Sequence, residues 1–417
     1  MGAAARAALQ QRKGDAMHDL FFLPDWPLEI TQFPWFAVLV LLAVAAGEAV
    51  QRYARLPRPI GWIVAGMLLG PYGLGVFGTE MLGRFSGLLD IAIGIVLFEL
   101  GQRVDLGWLR RNPWLLGTSV LEAALSFAAV YGVLMLAQPS ALLAAVAAAI
   151  GMATSPAISL VLTKELRAQG QVTERILLLT TLNCIYAVIV VSMLFAWLNA
   201  EYRGGWLTVV SHPLYLVFGS IALAGAFAAL AHGALRLLGR RVDAQYITVL
   251  ALIVIAVAAA SLLKLSVVLS MLAFGMMTRH FDRQRRFVSL EFGRLGQIFM
   301  VLLFALIAAR IDLALVPAGL AAGAALIVAR YAGKVLGVIA LGRWSGLGTR
   351  KSALVGLGLM PMAGLAVMLV HETASAFPEF GPQLLTVIVA AVAILEILGP
   401  LLVQFALVRA GESHGRA

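Results

Sequence analysis

"GMATSPAISL" at residues 151–160 and "GLMPMAGLAV" at residues 358–367 are two apolar stretches that each carry a proline near the middle. Proline removes one backbone hydrogen bond and clashes with the preceding turn, so it kinks or breaks a helix. Backbone groups that are freed at membrane depth are tolerated only where they face protein or water. One such proline is compatible with a simple kink, so the meaning of the pair depends on what surrounds it.

The composition is that of an integral membrane protein. Hydrophobic residues make up 61% of the 417 and charged residues 12%, whereas a soluble domain carries about 25% charged residues. The mean hydropathy is +0.94. Apolar runs of roughly 20 residues match the length that a helix needs to cross the hydrocarbon, and they are too continuous for the strands of a barrel. The predicted fold class is therefore an all-α polytopic membrane protein.

Thirteen transmembrane spans are predicted between an N-terminal tail (1–33) and a C-terminal cytoplasmic tail (409–417). Their approximate bounds are 34–51, 59–77, 86–102, 113–136, 140–163, 176–199, 213–237, 245–263, 266–279, 295–312, 316–341, 352–371 and 382–408. Alternate connections hold 22 of the basic residues, and the connections between them hold four. This bias predicts that the N-terminus lies outside the cell and the C-terminus in the cytoplasm.

Spans 2–6 and 9–13 form two sets of five that begin on opposite sides of the membrane, which predicts an inverted repeat. The two prolines, Pro156 and Pro361, fall on the fourth span of each set. Paired interruptions at matching positions of inverted repeats indicate the binding site of a transporter. The net charge of +10 belongs to the loops and does not indicate nucleic acid. The chain shows no motif of an enzyme, no metal-ligand spacing and no cofactor motif, and its one cysteine excludes an internal disulfide.

Several motifs resemble the monovalent cation:proton antiporter-2 family of bacteria, a group with a sodium/hydrogen exchanger-like membrane domain. The motifs are "LPRPIGWIVAGMLLGPYGLG" (56–75), "IVLFELGQRVDLGWLRR" (95–111), "ATSPAISLVLTKEL" (153–166), "RYAGKVLG" (330–337) and "LMPMAGLAVMLV" (359–370). The resemblance covers residues 34–408. It implies a homodimer in the bacterial inner membrane, with a scaffold of spans 1–3 and 8–10. A core of spans 4–6 and 11–13 would slide against that scaffold in an elevator-type alternating-access mechanism.

The resemblance also implies where the ion site lies. Such antiporters commonly carry an aspartate on the sixth span, which binds either the cation or the proton. Asn183 matches the residue before it, but Cys184 stands in the place of the aspartate. In the broken fifth span, Ser155 stands where a second aspartate is common, between Thr154 and Pro156.

Cys184 has three interpretations from sequence. It is a small buried core residue, or a thiol inside the ion site that couples nothing, or a redox or soft-metal group. An unperturbed thiol titrates at about pH 8.5, and sulfur is a soft ligand that suits Na⁺ or K⁺ poorly. On any of these interpretations the coupling position is altered.

Two cations lie inside span 11. Arg330 and Lys334 are four residues apart, so they share one helix face. Arg330 either extends to the membrane interface or joins the site. Lys334 matches a lysine that often pairs with the sixth-span aspartate, so here it needs another carboxylate, helix carbonyls or a lost proton.

Buried acids are further candidates for the site. Glu122 in span 4 is predicted either to take part in the ion site or to make a structural hydrogen bond. Glu396 in span 13 is deep but has no motif behind it, and Glu99 in span 3 lines an entry funnel or pairs with Arg103. Pro361 and Gly364 are predicted to line the site from the second break.

The leading function from sequence is exchange of a monovalent cation, Na⁺ or K⁺, for protons. Because the coupling aspartate is absent, two alternatives stay open. One is the same fold carrying another solute such as an anion. The other is a regulatory homologue without coupled transport.

Overall fold

The computed structural model describes residues 32–137, 140–203, 206–239, 241–281 and 293–414. Regular structure in these ranges is helical. The α-helices are α1 (Gln32–Ala49), α2 (Arg58–Leu69), α3 (Thr79–Arg84), α4 (Ser86–Arg103), α5 (Leu106–Arg111), α6 (Pro113–Ala137), α7 (Ala141–Met152), α8 (Pro156–Glu165), α9 (Gln171–Arg203), α10 (Trp206–Leu238), α11 (Val242–Leu262), α12 (Val267–Phe281), α13 (Gly293–Ala309), α14 (Val316–Gly342), α15 (Thr349–Gly358), α16 (Gly364–Ala376) and α17 (Gly381–Arg409).

Eight helical stretches of the described residues are long and apolar enough to cross a membrane, and three more are apolar but shorter. The prediction of an all-helical membrane fold is therefore confirmed. The count of thirteen spans, the inverted repeat and the division into core and scaffold stay predictions. Residues 1–31 of the predicted N-terminal tail lie outside the described residues.

Span 2 is shorter than predicted, because its helix ends at Leu69 and not near residue 77. Pro71 has no amide hydrogen to continue the helical ladder. The chain then turns back on the helix end, with the Phe77 amide donating to the Leu69 carbonyl at 2.9 Å. Gly75 takes a φ of 67° in this turn, a left-handed conformation that glycine adopts without strain.

Two glycines bring α14 against α6 with almost no space between the backbones. A Cβ placed on Gly333 would lie 2.6 Å from the Ser126 Cα, and one on Gly337 would overlap the Glu122 Cα. Small residues four apart allow this kind of close helix packing in membranes. The seam places the side chain of Lys334, which lies between the two glycines, level with Glu122.

Glu412, in the segment after α17, forms hydrogen bonds with the N-terminus of α9, and only 6% of this residue is exposed. Its carboxylate accepts the backbone amides of Val172 at 2.9 Å and Thr173 at 2.8 Å, and the Thr173 hydroxyl at 2.9 Å. The Gln169 amide donates to the Glu412 carbonyl at 3.0 Å. A carboxylate at a helix N-terminus satisfies otherwise unpaired amides and the helix dipole.

Glu412→Ala is expected to lower the free energy of unfolding by about 2 kcal/mol or more, because three hydrogen bonds to a buried charge are lost. The measurement is thermal unfolding of the detergent-purified protein. Glu379→Ala, which removes an exposed carboxylate, is the matched control. Equal midpoints for the two variants would show that the Glu412 contacts do not stabilise the fold.

Candidate functional site

Both proline-bearing spans are broken, and the two breaks contact each other. The first lies between Met152, the last residue of α7, and Pro156, the first of α8; the second lies between Gly358 and Gly364, where α15 ends and α16 begins. The Ser155 amide donates to the Pro361 carbonyl at 2.9 Å. These contacts join two segments that are some 200 residues apart in the chain.

Each break leaves helix-end carbonyls without an intrahelical partner. At the first break, the Ser155 hydroxyl caps α8 by accepting the Ile158 amide at 3.4 Å. The Thr154 hydroxyl crosses to the second break and donates to the Leu359 carbonyl at 3.1 Å. The carbonyls that end α7 and α15 still need donors, and these come from α14.

Arg330 supplies most of those donors. Its Nε donates to the Gly151 carbonyl at 2.7 Å, and its Nη2 to the Ala153 carbonyl at 2.7 Å. At the other break, Nη1 donates to the Met360 carbonyl at 2.5 Å and Nη2 to the Leu359 carbonyl at 3.0 Å. The side chain is completely buried, so the alternative in which Arg330 extends to an interface is wrong. Its positive charge lies at the negative ends of two helix dipoles.

Lys334, one turn beyond Arg330, forms a buried ion pair with Glu122. Its Nζ lies 3.1 Å from Glu122 Oε2 and donates to the Met152 carbonyl at 3.2 Å. Both side chains are 0% exposed. The partner that the sequence left open for Lys334 is therefore a carboxylate on α6. Of the two alternatives for Glu122, the structural hydrogen bond to a Ser or Thr is not formed, and its Oε1 accepts no hydrogen bond among the described residues. Participation in an ion site stays a prediction.

Asn183 and Cys184 on α9 both reach the first break through Thr154. The Asn183 Nδ2 donates to the Thr154 hydroxyl at 3.2 Å, and the Cys184 thiol to the Thr154 carbonyl at 3.2 Å. Both side chains are fully buried. Cys184 is thus a buried core residue whose thiol contacts the first break, and its role in ion binding stays a prediction.

Pro156 and Gly364 line a small, partly open cavity together with Ser155, and its other walls include apolar side chains of α4, α12 and α13. The predicted residues therefore divide into two groups. Thr154, Asn183, Cys184 and Arg330 form one hydrogen-bonded group, and Lys334 with Glu122 forms an ion pair that is bonded to the Met152 carbonyl of the first break; together these six residues are the cluster at the crossing of the two breaks. Ser155 and Pro361 join the breaks beside the cavity.

The two remaining acids are Glu99 on α4 and Glu396 on α17, and Glu396 lies one turn before Gly399, which packs against Pro361 of the second break. Glu99 pairs with Lys164 of α8 at 2.5 Å and only distantly with Arg103, at 3.9 Å, so its main partner differs from the predicted one. Glu396 on α17 is 1% exposed, and neither of its carboxylate oxygens has a hydrogen-bond partner in the described residues.

The sequence indicated helix carbonyls as possible partners of Lys334, but it did not identify the carbonyls of residues 151–153 and 359–360 as the groups that Lys334 and Arg330 bind. Carbonyls have no residue identity, so only the small residues and prolines around them could indicate that these groups are free. The seam of Gly333 and Gly337, which sets the distance from Lys334 to Glu122, was visible as two glycines four residues apart.

A crossing of two broken helices within the bilayer, with charged side chains buried around it, defines a secondary transporter and not an enzyme. The chain matches the transmembrane sodium/hydrogen exchanger family over residues 37–409, and it belongs to that family. The resemblance found in the sequence is confirmed at this level. Membership supports the exchange of cations and protons as the activity.

Solved structures with this fold include the sodium proton antiporter MjNhaP1 from Methanocaldococcus jannaschii. Its structure at pH 8 matches with a TM-score of 0.71 at 13% identity, over 91% of this chain and 98% of that chain. An electron-microscopy structure of the same antiporter gives a TM-score of 0.70 at 14% identity, over 91% and 96%. At this identity the likeness shows the fold alone. No curated protein matches the sequence of the chain.

Proposed function

We propose that the chain exchanges a monovalent cation, Na⁺ or K⁺, for protons at the crossing of the two breaks. The observation that supports this proposal is the contact between the breaks, because it brings helix-end carbonyls, hydroxyls and ionisable groups together. Unwound carbonyls and half-helix ends coordinate monovalent cations in transporters of inverted-repeat architecture. Thr154, Ser155 and Asn183 supply side-chain oxygens there.

The same geometry supports an elevator movement of spans 4–6 and 11–13. Polar contacts of Arg330, Lys334 and Thr154 connect the two breaks with three helices, α6, α9 and α14. The wall that α4, α12 and α13 present to the breaks is almost entirely apolar. An apolar wall forms no directional bonds that would resist sliding. In this proposal the protein is a homodimer in the bacterial inner membrane, with its N-terminus outside and its C-terminus in the cytoplasm.

The test uses everted vesicles that carry the protein, with a pH-sensitive dye inside an acidified lumen. NaCl or KCl is expected to collapse the pH gradient, and choline chloride is not. The matched control is vesicles without the protein. A response to choline chloride equal to that to the sodium or potassium salt would contradict cation exchange.

A second candidate is the transport of an anion on the same fold. The cluster at the crossing contains two cations, Arg330 and Lys334, and one anion, Glu122, which leaves one net positive charge. In the same vesicles an anion carrier would respond to the identity of the anion, and a regulatory homologue without transport would respond to no salt.

Cys184→Asp is expected to increase cation-dependent exchange, because it places a carboxylate beside the Thr154 carbonyl. The two oxygens repel each other unless a cation lies between them. The measurement is the initial rate of dye recovery against cation concentration, with Cys184→Ser as a control that keeps a neutral donor. An equal rate in both variants would show that position 184 takes no part in cation binding.

A further inference from the structure

The usual coupling positions of this chain are neutral, and this inference rests on the proposed exchange of a cation for protons. Ser155 and Cys184 are both engaged as hydrogen-bond donors or caps and carry no charge. Exchange of a cation for a proton still needs a group that holds either one. Within the described cluster at the crossing, the only carboxylate is that of Glu122.

Glu122 lies near groups of two other helices, α14 and α9. Lys334 of α14 is 3.1 Å from its carboxylate, and Arg330 lies one turn from Lys334 on the same helix. From α9, the Tyr186 hydroxyl accepts a hydrogen bond at 3.0 Å from Ser119, which precedes Glu122 by one turn of α6. The Lys334 ammonium, which pairs with Glu122, also donates to the Met152 carbonyl at the first break. Glu122 is therefore joined to the crossing although it lies on a different span from the breaks.

One oxygen of this carboxylate is available. Oε2 belongs to the ion pair, but Oε1 accepts no hydrogen bond. The Ser126 hydroxyl, one turn further on the same face of α6, is fully buried and also without a partner among the described residues. Asn183 Oδ1 is a third buried oxygen in this condition. Burying an oxygen without a hydrogen-bond partner is unfavourable in free energy. A bound hard cation or a proton on the carboxylate would remove this penalty.

We propose that Glu122 is the carboxylate that holds the transported monovalent cation and the exchanged proton in turn. The proton bonds to the carboxylate as a neutral acid; when it leaves, the cation is held by the resulting anion. The net charge of the cluster is the same in the two forms, with Arg330 and Lys334 unchanged. Exchange at this site is therefore one for one and electroneutral.

The experiment compares purified protein and variants in proteoliposomes, with internal pH measured against external NaCl or KCl. Wild-type protein is expected to exchange the cation for protons. The rate of sodium-driven exchange is expected to be the same with and without a membrane potential imposed by potassium and valinomycin. Glu122→Gln is expected to lower the rate about 100-fold or more, since the ion-binding charge is lost. Glu379→Gln, which neutralises an exposed carboxylate outside the cluster, is expected to keep the rate.

The single variant leaves Lys334 buried without its partner, so a double variant separates function from folding. Glu122→Gln with Lys334→Gln removes both charges of the pair. If Glu122 only stabilises the fold, exchange returns in the double variant; if it binds the ions, exchange stays absent although the protein is folded. Glu122→Asp is expected to keep exchange with a changed apparent KM for the cation and a shifted pH profile.

Different results would contradict cation-proton exchange itself and the role of Glu122 in it. Wild-type protein that exchanges no cation in proteoliposomes overturns the proposed function and this inference with it. Wild-type exchange with an unaltered KM and pH profile in Glu122→Gln overturns the inference alone. Exchange that depends on the imposed potential overturns the electroneutral form of the step.

Discussion

Arg330→Ala is expected to abolish the folded state or leave a protein that unfolds at a much lower temperature. The substitution leaves three buried carbonyls at the two breaks, those of Gly151, Ala153 and Met360, without donors, and it removes one of the two donors to the Leu359 carbonyl. Each unpaired buried group costs about 1–3 kcal/mol, and the sum is comparable with the about 5–15 kcal/mol by which a whole protein is stable. The measurement is the yield of monodisperse protein on size exclusion, together with its unfolding temperature.

The matched control for Arg330 is Val328→Ala, on the same helix but 67% exposed. Arg330→Lys is expected to give an intermediate result, because lysine keeps the charge but has three donors and no planar fork to reach both breaks. Folded Arg330→Ala protein with the unfolding temperature of the Val328 control would show that the breaks do not depend on this guanidinium.

Gly337→Ala is expected to be the second most damaging change, although it adds one methyl group. That methyl would overlap the Cα of Glu122, and backbone cannot rotate aside as a flexible side chain can. Overpacking of this kind costs about 1–3 kcal/mol or more. The shift of α14 away from α6 would also lengthen the ion pair of Lys334 with Glu122, so unfolding temperature and exchange rate are both expected to fall.

Gly132→Ala is the control for this prediction. Gly132 lies on α6 as well, but a Cβ there would meet nothing within 4 Å. Because alanine favours a helix more than glycine does, this change is expected to be neutral or to stabilise by up to about 1 kcal/mol. Equal effects of the two substitutions would mean that the α6–α14 seam is looser than the structure shows.

Local chemistry explains which features could be predicted from the sequence. Hydrophobic run length predicts membrane helices wherever it occurs, and proline lacks an amide hydrogen in every context. Proline alone does not break a helix here, since Pro213 and Pro400 lie inside continuous helices. The breaks at Pro156 and Pro361 were predictable because these prolines stand among small residues at matching positions, and both breaks are present. The end of α2 at Leu69 was missed because the residues beyond it stay apolar while the turn is set by Pro71 and Gly75.

The partners of the charged residues could not be predicted in this way. Lys334 and Glu122 are 212 residues apart, and Arg330 and Gly151 are 179 apart. No periodicity or spacing relates residues at such separations, and several partners for each cation were compatible with the sequence.

The amino-acid sequence by itself determined that this chain is a helical membrane protein of the exchanger kind, with two interrupted spans. Hydropathy and proline chemistry act locally, so the sequence was sufficient for these features. Only the tertiary structure decided that Arg330 turns inward to the helix ends, that Lys334 pairs with Glu122, and that Glu122 keeps one oxygen available. Those outcomes depend on how closely α6 approaches α14 and on which free carbonyls meet, and both are properties of the packed bundle.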